Sequence, residues 1–183
     1  PRGRYVRTNE NLYSGGDLVA VYSRQRAGAG LDIGWNSGGS TRLRAAYDIA
    51  YLRSVTSVGD PLLSSISGTE QTLRARFEYD DRDAPYLSGR GVSFAGTAQW
   101  FLEAPGALRP FGTIEGSFQA AHPAGGGKIL SLATEGGSRF GNDPPILYQF
   151  PLGGPFRLGA YPTYAFRGPQ YLLGSLTYKV PVG

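Results

Sequence analysis

Apolar and polar residues alternate one for one along most of the chain, the period of a strand with one greasy and one wet face. In "VSFAGTAQWFLE", Val92, Phe94, Gly96, Ala98, Trp100 and Leu102 share one face, and Ser93, Ala95, Thr97, Gln99 and Glu103 the other. Gly112, Ile114, Gly116 and Phe118 likewise oppose Thr113, Glu115, Ser117 and Gln119, and Leu73, Ala75, Phe77 and Tyr79 oppose Arg74, Arg76, Glu78 and Asp80. Leu43, Ala45, Tyr47, Ile49 and Tyr51 stand against Arg42, Arg44 and Asp48. Shorter runs follow the same rule around Leu31, Ile33 and Trp35, around Leu130 and Leu132, and from Leu172 to Val180. Asp17 to Gln25 reads as extended with its facing left open, so the firm strand region is 27–181. Helical spacing is nowhere sustained, which predicts an all-β chain of seven or eight strands.

Glycine and proline punctuate the pattern at "NSGGS" (36–40), "APGA" (104–107) and "HPAGGG" (122–127), joints short enough to make neighbours antiparallel. Longer joints are expected at Ser54 to Gln71, Asp80 to Arg90 and Phe140 to Gln170, with tight turns on one rim and long loops on the other. No shift of composition marks a second domain, so 1–183 reads as a segment of one domain.

A half-buried sheet in water and a membrane-spanning barrel both alternate; what stands on each face separates them. Here the apolar face carries aromatics near strand ends (Trp35, Tyr51, Tyr79, Trp100, Tyr178), where a barrel places its interfacial girdles. The other face is densely charged, as a wet lumen with paired charges on adjacent strands requires. About ten tilted residues per strand cross the hydrocarbon, and closure satisfies the backbone groups that lipid cannot. The pattern therefore favours an antiparallel transmembrane β-barrel. A soluble β-sheet module using its aromatics as a ligand platform is the alternative.

Composition narrows the rest. The 183 residues include no Cys, which excludes disulfides and Cys-based metal sites, and the net charge of +4 comes mainly from Arg. Those arginines are scattered along strands rather than gathered into a patch, so nucleic acid is not an expected partner. No apolar run is long enough for a transmembrane helix, and the first ten residues lack the apolar core of a signal peptide.

Two stretches carry more than alternation. "FEYDDRDAPYLSGRG" sets Tyr79, Asp80, Asp83, Pro85, Tyr86 and Gly91 at a strand end, a joint and the next strand start. It resembles the strand-end and turn pattern of the Omp85, or bacterial surface antigen, barrels, with Ser88 where that family usually has proline. "FPLGGPFRLGAYPTYAFRGPQY" is crowded with glycine, proline and aromatics. Its Phe150, Gly153 and Gly154 are similar to the superfamily's F-x-x-G-G, which opens a long loop folded back into the lumen. Leu158, Gly159, Ala160 and Tyr161 occupy the loop tip, where the assembly-factor branch has an arginine; here Arg157 precedes the tip instead. That variant, and "AGLDIGWNSGGSTRLRAAYD", resemble the barrel at the C-terminus of patatin-like outer-membrane phospholipases, the type Vd autotransporters.

The resemblance implies a bacterial outer-membrane barrel that anchors an N-terminal patatin-like lipid hydrolase domain lying outside this chain, with a part in its export as a further expectation. An Omp85-type assembly or secretion pore is the alternative reading. It also implies partial coverage, about 8 of about 16 strands, with the passenger domain and the last strands absent and two sheet edges open. Implied partners are outer-membrane lipid, the passenger domain and the barrel assembly machinery. Within the lumenal loop, Tyr161, Tyr164 and Phe166 would supply packing surface, and Arg157 would meet a lumenal carboxylate such as Glu115 or Glu135.

No catalytic residue, metal site or cofactor is expected in this chain, so it reads as non-enzymatic. The nucleophile elbow G-x-S-x-G is absent: "GVSFAG" and "GGSRFG" have the wrong spacing. His122 stands alone in a turn. "GGGK" lacks the rest of a phosphate loop, and Asp80, Asp81 and Asp83 lack the glycine-centred surroundings of a calcium loop.

Overall fold

The structure, a computed structural model, describes residues 2–14, 17–59, 65–84, 88–154 and 157–181. Its main element is an eight-stranded antiparallel sheet in the order β1-β2-β3-β4-β5-β6-β7-β10. The strands are β1 (Arg2–Ser14), β2 (Asp17–Ser37), β3 (Thr41–Gly59), β4 (Ile66–Asp80), β5 (Gly91–Glu103), β6 (Phe111–Gly125), β7 (Lys128–Gly141) and β10 (Gln170–Lys179). A two-stranded hairpin of β8 (Phe150–Leu152) and β9 (Phe166–Gly168) lies in the excursion between β7 and β10. The sheet does not close on itself: β1 and β10 are its two edges.

Register confirms the facing read from alternation. Leu31, Tyr47, Leu73 and Trp100 are successive cross-strand partners, as are Phe94, Phe118 and Thr134 further along the sheet. The apolar side lies open, with Ile33, Trp35, Ile49, Ile114 and Leu172 all exposed. An exposed wall of this size has no place in water and is what lipid covers. On β3 the outward apolar row runs from Leu43 to Tyr51, about nine residues, the reach needed to cross the hydrocarbon at a barrel tilt. On the opposite side Asp48 and Glu70 are buried.

Strand structure extends upstream of the firm region: β1 pairs with β2 from Arg2↔Gly30 to Ser14↔Asp17, so the extended stretch from Asp17 to Gln25 is part of β2. Two expectations need correction. The joint expected from Ser54 to Gln71 is mostly strand, since β3 runs to Gly59 and β4 starts at Ile66. The rims are not sorted by joint length either. The turn at 38–40, the 81–90 joint and the turn after Gly125 share one rim, while 104–110 joins the β7–β10 excursion on the other. Each strand crosses once, so rim membership follows strand parity and is indifferent to how many residues a joint contains.

A β-bulge opposite Gln71 and Thr72 makes a further local change. It carries Glu103 out of the inward row, where alternation had placed it, to accept a hydrogen bond from Gln71 Nε2 at 2.9 Å. The same bulge keeps Phe101 inward beside Thr72, where it stacks on Phe111 with centroids 4.6 Å apart. These two rings and Ala104 form the small apolar core on the inner side, and Tyr148 packs against it.

Candidate functional site

The excursion between β7 and β10 returns to the inner, charged face of the sheet. It enters through a single 3-10 turn at Ile146–Tyr148, runs out along β8 and comes back along β9. Beyond the hairpin the tip closes on itself: Gly154 N–H donates to the Tyr161 carbonyl (3.1 Å), Leu158 N–H to Gly154 (3.0 Å) and Tyr161 N–H to Leu158 (2.9 Å). Gly153 makes this possible. Its φ is +117°, and a Cβ there would overlap the carbonyl oxygen of Pro162. Tyr161 meets Phe166 edge-to-face at 4.8 Å, while Gly159 and Ala160 face outward from the closed tip and are exposed.

One end of the loop fastens to β7 and β10. Arg157 Nε lies 2.9 Å from Glu135 Oε1, and its Nη1 donates to the Pro151 carbonyl at 3.2 Å. The guanidinium also sits over the Tyr171 ring, 5.4 Å from the centroid. Of the two carboxylates expected for Arg157, the partner is Glu135; Glu115 instead accepts from the Tyr171 hydroxyl at 3.3 Å. Phe150, the first motif residue, is buried against Tyr171.

The other end fastens to β1, β2 and β4 through residues that the sequence reading passed over. Tyr148 OH donates to Glu70 Oε2 (3.0 Å), and Arg26 Nε donates to Glu70 Oε1 (2.8 Å). Arg24 lies 3.8 Å from Glu70, donates to Glu10 at 3.4 Å and sits over the Tyr148 ring. Arg167 Nη2, on β9, donates to the second oxygen of Glu10 at 3.0 Å. The result is a continuous chain of alternating charge in which each carboxylate holds a strand group with one oxygen and a loop group with the other. Burial, with the Glu70 charge beside it, raises the pKa of the Tyr148 phenol, so the hydroxyl stays a proton donor at any ordinary pH. A parallel group, Arg2–Asp48–Arg74, ties β1, β3 and β4 on the same face. Between loop and wall remains a cavity of about 400 Å³, bordered by Glu10, Arg26, Arg74, Gln99, Glu115 and Tyr148.

The strand-end motif lies on the opposite rim and does not join this constellation. Asp83 organises the 81–90 joint: its carboxylate lies 2.7 Å from Ser88 Oγ and accepts from Gly89 N–H at 3.0 Å, while its own N–H donates to the Arg90 carbonyl. Those bonds, the Ser88 hydroxyl foremost, hold its pKa below the usual carboxylate range. Ser88 therefore performs a defined task where the family pattern has proline. Asp80 is engaged by Arg82 at 2.8 Å, and Tyr79 faces outward as the partner of Phe94. Gly91 has φ +108°, and a Cβ there would strike the Asp81 carbonyl. Pro85 and Tyr86 lie outside the described residues. His122 pairs with Leu130 near the turn after β6, remote from the loop.

Glu10, Arg24, Arg26 and Glu70 escaped the sequence reading for a definable reason. Three precede residue 27, and Glu70 fell inside an expected joint. Their signal was nonetheless present: Arg24 and Arg26 occupy alternate positions, as do Glu70, Thr72 and Arg74.

A meander of strands, greasy outside and charged inside, with a long loop turned back onto its charged face, defines the wall of a transmembrane β-barrel. The family model for the Omp85 superfamily domain matches residues 5–182. The chain belongs to that superfamily, whose bacterial members are outer-membrane proteins, and an outer-membrane barrel with a translocation-related role follows. No curated protein matches the chain.

Proposed function

We propose that this barrel wall anchors, and takes part in exporting, an N-terminal patatin-like lipid hydrolase domain carried by the same polypeptide. The observation that supports this branch is the loop: its arginine precedes the tip, at Arg157, and from there reaches Glu135. In this reading the loop is a clasp that holds the lumen in one shape while the passenger is tethered, and the barrel assembly machinery inserts it. An Omp85-type assembly or secretion pore is the second reading, favoured by the family match along nearly the whole chain and by the space left beneath the loop. Determining the coding sequence upstream of Pro1 separates them. A hydrolase domain containing G-x-S-x-G supports the first; repeated small α/β modules would overturn it in favour of the second.

The clasp has its own test. Arg157 and Glu135 are both about one-third exposed, so their attraction is screened and worth about 0.5–1 kcal/mol. Arg157→Ala is expected to lower the heat-modifiable, folded fraction and to make 142–169 cleavable by added protease. Unchanged assembly with a protected loop would contradict a clasp.

A further inference from the structure

The outward face changes character sharply one row beyond Tyr5 and Tyr51. Register aligns Tyr5, Ala27, Tyr51 and Thr69 across β1–β4, and directly beyond them Arg7, Gln25, Arg53 and Ser67. Side chains two residues apart on a strand share a face, so this second row points outward like the exposed tyrosines. Arg7 and Arg53 are exposed. Their environment differs from that of the inward arginines at positions 24, 26 and 167, each held by a carboxylate. Among the described residues Arg7 reaches only Ser23 Oγ, at 3.4 Å, and Arg53 meets no acceptor. Every carboxylate that β1–β4 carry between Arg2 and Asp80, within the described side chains, lies on inward positions: Glu10, Asp32, Asp48, Glu70, Glu78 and Asp80.

The row therefore presents two unneutralised guanidinium groups at the edge of the lipid-facing wall. With strands about 4.8 Å apart, the two Cα atoms stand about 10 Å apart, and arginine side chains of that reach converge on one anion between them. Gln25 lies between them and offers an amide donor to the same point. Guanidinium forks suit phosphate oxygens, and a basic group at the boundary of the hydrocarbon is where a lipid headgroup lies. We propose that Arg7, Gln25 and Arg53 form an external site for the phosphate of an anionic lipid headgroup, with Tyr5 and Tyr51 lying against the upper part of its acyl chains. This site fixes the height of β1–β3 in the membrane, because these strands continue well past the apolar belt toward the rim.

Native mass spectrometry of the detergent-folded protein tests the site by titration with short-chain phosphatidylglycerol and, separately, phosphatidylcholine. The protein is expected to retain phosphatidylglycerol preferentially. Arg7→Ser and Arg53→Ser should each weaken that retention about fivefold, the scale of one basic group at a membrane surface, and leave phosphatidylcholine unaffected. Arg109→Ser, in an exposed joint, should change neither. Equal retention of both lipids, no loss in the double variant, or full competition by millimolar inorganic phosphate would overturn the assignment. A heat-modifiability measurement on each variant confirms that it is folded before it is scored.

Discussion

Glu70→Ala is expected to destabilise the folded protein by about 3 kcal/mol and to release the loop. The Glu70 side chain is 5 % exposed and holds three groups at once: Arg26, Arg24 and the Tyr148 hydroxyl. Removing one partner of a buried charge cluster costs about 3–5 kcal/mol, because the remaining charges are left uncompensated. The lower end applies here, since Arg24 and Arg26 are 21 % and 24 % exposed and recover some hydration. Tyr148 loses its acceptor in the same substitution, which leaves the 3-10 turn to the packing of the Tyr148 ring against Phe101 and Phe111. Urea unfolding in micelles, followed by tryptophan emission, measures the first effect. Limited proteolysis across 142–169 measures the second. Glu70→Gln retains an acceptor for Tyr148 while removing the charge, so it should unfold earlier than the parent but keep the loop partly protected. A change below about 1 kcal/mol in Glu70→Ala, with the loop still resistant, would mean that the network is incidental.

Gly153→Ala should disrupt the loop through its backbone alone. A φ of +117° lies where side-chain-bearing residues are strained by about 1–3 kcal/mol. Overlap with the Pro162 carbonyl adds a steric term that relaxation of a flexible side chain cannot relieve, since the obstructing atom belongs to the main chain. The hairpin must open to accommodate it, which withdraws Arg167 from Glu10 and Arg157 from Glu135 together. Expected outcomes are protease cleavage within 150–168 and an unfolding midpoint at least as low as that of Arg157→Ala. Gly174→Ala is the matched control: a Cβ there meets only Thr134 Cγ2, at 4.0 Å, on the lipid side, so it should be neutral.

Much of this architecture was legible because lipid and lumen impose opposite demands on adjacent residues. Wherever both demands act, as between Leu43 and Tyr51 or Val92 and Trp100, every outward position is apolar and the facing follows directly. Legibility failed where only one demand acts. Beyond Tyr51 the outward positions of β3 pass from apolar to Arg53 and then Val55, and a bulge at Ser57 shifts the phase, so the alternation lapses and the stretch reads as a joint. The same holds for β1, whose outward positions run Tyr5, Arg7, Asn9 and Asn11. At Glu103 a bulge shifts the phase, and alternation by itself carries no mark of that. In the loop, the glycines of the F-x-x-G-G pattern foretold a special backbone and Arg157 foretold an inward anchor. The second anchor did not show, because Arg167 and Glu10 are 157 positions apart and nothing local links them. Long-range pairing of that sort becomes visible only once the sheet has set β1 opposite the returning limb.

Spin labels report which face of the sheet meets lipid and which meets water. Single cysteines, each carrying a nitroxide, are placed at Phe94, Ile114, Thr97 and Glu115 in protein folded into bilayers, and collisions with oxygen and with a water-soluble nickel chelate are compared. Labels at Phe94 and Ile114 should favour oxygen, as positions in hydrocarbon do, while labels at Thr97 and Glu115 should favour the chelate. The reverse ranking would place lipid on the charged side and water on the apolar one, and would overturn the barrel-wall assignment.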